Sequence, residues 1–207
     1  DLAKWMSGSR NPLFLRSAVN RPWQFHFGQP LAGTPNDIGR NGEKPSHPEL
    51  LDWLAAELPR RGWSLKSMHR LLLTSATYRQ VSRGEGECWA KRRAADLGNR
   101  LYSRMNRRRL DGESLRDTLL TLSGRATQRA GGPGVRPPLP REITSTLLKN
   151  QWPFSSDEED HHRRSVYLFA RRNLRYPLFE LFDRPDGASS CARRKESTTA
   201  PQSLILL

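Results

Sequence analysis

The chain has 207 residues with 35 basic and 21 acidic side chains, a formal net charge of +14, and 35% hydrophobic residues. That length can bury a real core as one medium-sized domain or two small ones, and the apolar fraction lies well above that of disordered proteins. No run of about 18 apolar residues occurs, and no charged start followed by an apolar run occurs either, so we expect no transmembrane helix and no signal peptide here. Because the chain starts without methionine and stops within the apolar run 204–207, we expect it to be a piece of a longer protein.

Arginine supplies most of the positive charge, since 29 of the basic side chains are Arg and six are Lys. The forked guanidinium suits carboxylate, phosphate and sulfate. The excess is spread along the chain, with no basic tail and no RNA-binding signature, so nucleic acid is not the expected partner. Internal ion pairs and a surface for an anionic ligand are the two interpretations of this composition.

Apolar periodicity predicts helices in the first half of the chain. Residues 12–28 form the first, with Pro22 expected to kink or break it. A helix pair follows over 46–78, where leucines recur at helical spacing on both sides of a short turn. Residues 81–98 are polar and aperiodic, and we expect a variable excursion there.

The second half of the chain contains fewer periodic segments. A helix is predicted over 111–123, with Asp111 as its N-cap. Residues 131–162 are rich in glycine, proline and acidic residues and are predicted to form a loop. The β-branched and aromatic residues at 164–170 favour a strand, and a last helix is expected to start at Thr199.

These elements predict a mainly α-helical fold with a small β element near 164–170. The expected organisation is a helical part over 1–130, a loop over 131–162, and a segment over 163–207. We expect the last segment to pack on the first part, forming one domain.

Eight sequence blocks in series carry a family resemblance. They are residues 19–28, 34–39, 47–55, 63–80, 99–117, 131–133, 163–172 and 182–207. Together they resemble the planctomycete-type domain of unknown function that closes large exported proteins, after a second domain of unknown function and often a cytochrome-c-like module. The resemblance implies a periplasmic or cell-surface location and neighbouring domains of the parent protein as partners, but no activity.

Two positions depart from the pattern of that family. Pro22 stands where an aliphatic residue is expected, and Gly112 stands where alanine is usual. Either residue inside a helix lowers helix stability by roughly 1–3 kcal/mol. We therefore expect a weakened helix at either position if that position lies in a helix interior.

Two basic segments are candidates for binding an anion. Backbone N–H groups at a helix start attract anions, and hydroxyl groups add donors. The candidate residues are Arg107, Arg108, Arg109, Arg193, Arg194, Ser197, Thr198 and Thr199. For the second segment, the alternative is that Thr199 only caps the helix while Arg193 and Arg194 pair with Asp183 and Asp186.

Acid–base chemistry has candidates in one helix and one histidine. Glu113 and Asp117 lie four residues apart on one predicted helix face, next to Asp111, and His47 lies at a predicted helix start. The alternative is an ion-pair network with Arg116 that ties helices together. No residue is assigned as catalytic on this pattern.

The remaining aromatic and cysteine residues add one candidate and exclude one cofactor. Trp152, in a predicted loop, is the tryptophan most expected to be exposed for ligand stacking. Cys88 and Cys191 are 103 positions apart, so the Cys-x-x-Cys-His motif of covalent haem is absent, while a disulfide between them stays open. We assign no metal site and expect no cofactor in this chain.

Three functions are compatible with the sequence. The favoured hypothesis is an ancillary module of a large exported protein that binds an anionic polysaccharide, acidic or sulfated. The first alternative is part of a hydrolase site that combines Asp and Glu side chains and His47 with residues outside this chain. The second is a structural scaffold beside an electron-transfer module.

Overall fold

The chain divides into two units, residues 1–108 and residues 109–207. The structure is a computed structural model and describes residues 1–6, 8, 11–145, 151–172 and 174–206. The prediction that residues 163–207 pack on residues 1–130 as one domain stays a prediction. Both units are helical, as the sequence predicted.

Helices make up most of the first unit. They are α1 (Leu2–Met6), α2 (Pro12–Phe27), α3 (Pro48–Arg60), α4 (Leu65–Thr74) and α5 (Glu87–Ala95). Asn11 caps α2, since its side chain accepts the Phe14 N–H at 3.2 Å, and Ser64 caps α4 in the same way through the Ser67 N–H. The predicted pair over 46–78 is thus present as α3 and α4.

The core of the first unit lies among α2, α3 and α4. Each of these helices buries one apolar stripe, and burial of such side chains is the main stabilising term of a helical fold. The buried residues are Leu15, Val19, Trp23, Phe27, Leu31, Ala32, Leu51, Leu54, Ala55, Leu58, Met68, Leu72 and Tyr102. Among them, the Trp23 and Phe27 rings stack with centroids 4.0 Å apart.

Helix α2 runs through Pro22, so of the two predicted outcomes, a kink or a break, the break does not occur. Proline removes one backbone donor from the helix. Pro22 is itself buried, and it lies between Val19 and Trp23 on the face that packs into the core. Packing of that face therefore maintains the helix across the missing hydrogen bond.

Helix α5 lies where the sequence predicted an aperiodic excursion. None of its residues is buried. A helix without a buried face has no apolar period, and apolar periodicity was the signal used to predict helices. The helix was missed for this reason.

Short helices and loops make up most of the second unit. The helices are α6 (Gly112–Leu122), α7 (Arg141–Thr144), α8 (Glu158–His161), α9 (Pro177–Leu181) and α10 (Ala200–Leu204). Asp111 caps α6, since its Oδ1 accepts the Ser114 N–H at 2.7 Å, as predicted. In the described part of the chain, no helix has the length and apolarity needed to cross a membrane.

The strand predicted over 164–170 was wrong. Ser165–Tyr167 is a 3₁₀ helix, and pairing around it is limited to isolated parallel bridges, Thr127 with Arg163 and Val135 with Leu168. Each bridge joins a single pair of residues and does not extend into a ladder of paired residues. Without a longer partner, the β-branched and aromatic side chains do not form a strand.

Buried arginines are part of the interior of the second unit. Its apolar core cluster is small, with Val135, Leu168 and Phe179 buried. Arg116 is 7% exposed and Arg163 is 2% exposed. The Arg116 guanidinium donates to the Arg163 carbonyl oxygen at 2.8 Å, so hydrogen bonds to backbone compensate the burial of these charges.

Gly112 is the first residue of α6 and lies against α9, so it is outside the helix interior, where glycine was expected to weaken the helix. A Cβ at this position would lie 3.0 Å from the Phe179 Cα and 3.2 Å from the Leu178 carbonyl oxygen. Both neighbours are backbone atoms, which cannot rotate away. Glycine thus permits close packing of α6 on α9.

Candidate anion-binding site

A cavity of about 410 Å³ lies in the first unit, lined by helix α5 and by the chain on both sides of it. Its size falls within the range of small-molecule sites, roughly 300–1,000 Å³. We call it the arginine cavity. Its lining residues are Ser82, Arg83, Trp89, Arg93, Leu97, Arg104, Met105, Asn106 and Arg107.

Local backbone structure positions the walls of this cavity. Trp89 and Arg93 are four residues apart on α5 and therefore share a helix face. The Arg104 guanidinium donates to two carbonyl oxygens near the end of α5, those of Asp96 at 3.0 Å and Leu97 at 2.9 Å. The Met105 N–H donates to the Val81 carbonyl oxygen at 3.2 Å, which joins the chain before α5 to the chain after it.

No carboxylate lines the arginine cavity. Four arginines line it, and its lining includes no Asp or Glu. Within the described residues, Arg83, Arg93 and Arg107 form no ion pair. Their guanidinium groups are therefore available to a ligand.

Asp96, a carboxylate close to the lining residue Arg104, accepts hydrogen bonds from the backbone. Its carboxylate accepts the N–H groups of Arg100 at 2.9 Å and Leu101 at 2.8 Å. Burial raises the pKa of Asp96, but these donors and the charges of Arg104 and Arg100 more than offset it, so the pKa lies below its ordinary value. Asp96 is thus an ionised acceptor that orders the loop after α5.

Only one lining residue of the cavity, Arg107, was a candidate from sequence. Trp89, Arg83 and Arg93 were missed because the segment had been interpreted as an excursion without structure. One signal was present, since residues 81–107 carry seven basic and three acidic side chains around a tryptophan. In the structure, four of these basic residues line the arginine cavity beside helix α5.

Arg108, the next candidate, is committed within the first unit. Its guanidinium donates to the Phe25 carbonyl oxygen in the last turn of α2. Its side chain also lies against Gly28, where an added Cβ would come within 2.9 Å of the Arg108 Cδ. Arg108 thus satisfies a helix C-terminus, where a cation is favoured, and is not available to a ligand.

Arg109 belongs to a hydrogen-bond network in the second unit. Its guanidinium donates to the Asp183 carboxylate at 2.6 Å, to the Gln202 side chain at 2.8 Å and to the Ser197 carbonyl oxygen. The Ser197 N–H and hydroxyl both donate to Asp183, at 2.8 Å. Asp183, at φ +60°, is a non-glycine residue in the left-handed region.

The predicted anion site around Arg194 is occupied by carboxylates of this chain. The Arg194 guanidinium donates to both Glu113 oxygens, at 2.8 and 3.0 Å, and lies 3.6 Å from Asp111. The Glu113 hydrogen bond raises the pKa of Arg194. Arg194 thus pairs with α6 and not with Asp183 or Asp186, which was the predicted alternative.

The other members of the predicted site lie near the start of α10. Arg193 and Thr198 are exposed. Thr199 is the N-cap residue of α10, and its N–H donates to the Gln202 side chain at 3.2 Å. The capping interpretation of Thr199 is therefore the one that the structure supports.

The candidate acid–base residues have separate partners. Glu113 pairs with Arg194 and lies 3.6 Å from Arg184, whereas the Asp117 carboxylate accepts the Ser165 N–H at 2.7 Å. His47 belongs to the first unit, at the start of α3, with its Nδ1 3.0 Å from the Ser46 hydroxyl. The ion-pair interpretation thus describes Glu113.

Trp152 is buried, so the expectation that it is exposed was wrong. It is 9% exposed, and its Nε1–H donates to the Pro137 carbonyl oxygen at 2.9 Å. The buried indole has no open face for a ligand. Cys88 and Cys191 are both free and exposed, and they lie in different units.

A histidine pair joins α2 to α4 in the first unit. The His26 Nε2 lies 2.8 Å from the His69 Nδ1, and the Tyr78 ring meets the His26 ring edge-on at 5.9 Å. Burial lowers the pKa of His26, and the nearby His69 and Arg108 lower it further. The folded chain therefore favours a neutral His26. At mildly acidic pH the unfolded chain binds a proton at His26 that the folded chain does not bind.

Lowering the pH from 8 to 5 is expected to reduce the free energy of unfolding of the whole chain. The unfolded chain takes up a proton at His26 near pH 6.5, while the folded chain takes it up only at lower pH, so stability falls through that window. Urea unfolding at several pH values measures this slope. Replacing His26→Gln should reduce the slope, and an unchanged slope in that variant would contradict the assignment.

Among the described residues, no group of three or more His, Cys, Asp or Glu side chains is placed to hold a metal ion. One family model matches the chain, over residues 1–207: PSD1, described as protein of unknown function (DUF1553). No curated protein and no solved structure matched the chain.

Proposed function

The chain belongs to the PSD1 family of proteins of unknown function, and we propose that it binds an anionic polysaccharide, acidic or sulfated, in the arginine cavity. One observation carries the proposal: four arginines line one cavity whose walls contain no carboxylate. Like charges placed together in a folded protein are unfavourable unless a counter-charge joins them. A ligand with several anionic groups supplies that counter-charge.

Guanidinium chemistry supports sulfate and carboxylate groups as the recognised anions. Each guanidinium has donors in a planar fork, which binds two oxygens of one anion. The Arg104 guanidinium donates to carbonyl oxygens of the chain. Arg83, Arg93 and Arg107 also line the cavity. Three available forks can bind several anionic groups of one ligand, and each fork can also bind a single small anion.

The aromatic content of the cavity supports a polysaccharide over a nucleic acid. Single-stranded nucleic acids bind along grooves with several stacking aromatic residues. The arginine cavity has one aromatic residue, Trp89. The proposal includes an extracytoplasmic location within a larger protein, because acidic and sulfated polysaccharides occur outside the cytoplasm.

Replacing Arg93→Ala is expected to weaken binding of a sulfated or uronic-acid oligosaccharide by about 10-fold or more. A hydrogen bond to a charged group contributes about 1.5–3 kcal/mol, and 1.4 kcal/mol is a factor of ten in affinity. Titration calorimetry on the purified chain measures the change. The affinity should also fall as salt is raised, since the contact is electrostatic.

Arg92→Ala is the matched control for this variant. Arg92 is the preceding residue on α5, is equally charged and exposed, and does not line the cavity. We expect its affinity to stay within about twofold of the parent chain, because the remaining effect is weak long-range attraction. Equal losses in the two variants would indicate a general response to net charge and would overturn the proposed site.

A further inference from the structure

Trp89 is backed by a glycine on one face of its indole ring. A Cβ added to Gly84 would lie 2.8, 2.9 and 3.3 Å from the Cε3, Cδ2 and Cζ3 atoms of Trp89. Three adjacent ring atoms at nearly equal distances place that Cβ over the ring face and not at the ring edge. Gly84 therefore lies over one face of the indole.

The Trp89 side chain also borders the arginine cavity. Trp89 is half-buried and lines the cavity, whereas Gly84 does not line it. Arg93, one turn further along α5, lines the same cavity. A rigid aromatic surface and guanidinium forks thus share one cavity wall.

We propose that Trp89 is the specificity-determining residue of this cavity and stacks on the apolar face of one pyranose ring, whose sulfate or carboxylate groups bind the arginines. This inference rests on the proposed function and deepens it. A pyranose ring presents C–H groups on one face and substituents around its edge. The apolar face matches an aromatic surface, and the edge substituents match surrounding donors.

The role of Gly84 is to hold the indole in place. Any side chain at residue 84 would occupy the space of the ring, because even a Cβ would come within 2.8 Å of it. Substitution must therefore displace Trp89 or the loop. Gly84→Ala is thus a second way to move the stacking surface without removing an arginine.

The test compares ligands that share an anion but differ in the sugar ring. The probes are a sulfated galactan oligosaccharide, inorganic sulfate and single-stranded oligo-dT, each titrated against the whole chain. Trp89→Ala and Gly84→Ala are expected to weaken oligosaccharide binding about 10-fold and to leave sulfate binding unchanged. Trp89→Phe, which keeps a smaller aromatic ring, should retain part of the affinity.

Trp53→Ala is the control, since Trp53 lies on α3, is 46% exposed and does not line the cavity. Thermal unfolding of each variant confirms that it is folded. Unchanged oligosaccharide binding in folded Trp89→Ala, or an equal loss for sulfate, would overturn the stacking inference alone. Oligo-dT binding that exceeds oligosaccharide binding and requires Trp89 would overturn it in favour of nucleic acid.

A different result would overturn the proposed function. If Arg93→Ala binds the oligosaccharide as well as Arg92→Ala does, the arginine cavity is not the binding site, whatever the Trp89 variants show. Loss in both Arg93→Ala and Trp89→Ala, with sulfate sensitive only to Arg93→Ala, supports both proposals.

Discussion

Replacing Arg163→Ala is expected to lower the free energy of unfolding by about 3 kcal/mol, as for other large buried side chains. Arg163 is 2% exposed and is the largest fully buried side chain among the described residues. Its guanidinium donates to the carbonyl oxygens of Gly131 and Pro133 and lies 4.2 Å from the Tyr167 ring centroid. Truncation leaves a cavity and releases the 131–133 segment.

The neighbouring Arg164→Ala is the matched control for this prediction. The Arg164 side chain is 68% exposed, and its one ion pair, with Asp117, spans 3.6 Å. Exposed pairs of this kind contribute about 0–1 kcal/mol. Urea unfolding measures both variants, and similar losses for Arg163→Ala and Arg164→Ala would contradict a structural role for the buried guanidinium.

Replacing Asp183→Asn is expected to lower the free energy of unfolding by about 2–3 kcal/mol. The Asp183 carboxylate accepts three kinds of donor: the Arg109 guanidinium and the N–H and hydroxyl of Ser197. An amide has one acceptor oxygen, so some of these donors lose their partner, and hydrogen bonds to charged groups are the stronger ones. Asparagine tolerates the φ of +60° found here, which limits the effect to the lost acceptor.

Asp186→Asn serves as the control, since Asp186 is exposed and accepts backbone N–H groups of residues 188 and 189. We expect its effect to stay within about 0.5 kcal/mol. Chemical unfolding at pH 7 measures both variants. Equal losses would mean that general charge balance, and not the Arg109 network, explains the effect.

The acid limb of the stability profile gives a second measurement for Asp183. Burial raises its pKa, but donors from Ser197 and Arg109 more than offset this, so the folded pKa lies below the ordinary 3.8. The contribution of Asp183 is therefore present above about pH 4 and is lost as the pH falls through the lowered pKa. Asp183→Asn should flatten the acid limb, and an unchanged limb would contradict this linkage.

The main helices could be predicted because their apolar residues repeat at the helical period. Leu51, Leu54 and Leu58 line one face of α3, and Met68 and Leu72 line one face of α4. Caps also follow local rules, as at Asn11 and Asp111. Such features depend on residues within about one helical turn of each other, so the sequence is sufficient for them.

The arginine cavity could not be predicted in the same way. Helix α5 buries no residue, so nothing in its hydrophobic pattern marked it as a helix. Without that helix, Trp89 and Arg93 are only neighbours in a polar segment. Helix α5 places Trp89 and Arg93 on one face, and the chain after it brings Arg104 and Arg107 to the same cavity. Both features depend on contacts between chain segments, which local periodicity does not report.

By itself, the sequence determined that this protein is mainly α-helical, rich in arginine and similar to one family of unknown function. Only the tertiary structure decided which arginines have partners. Arg107, Arg108 and Arg109 are consecutive, yet Arg107 lines the arginine cavity, Arg108 binds a helix end, and Arg109 binds Asp183. The physical reason is that ion pairs and hydrogen bonds act over a few ångströms, and here their partners are about 70–90 residues away in the chain.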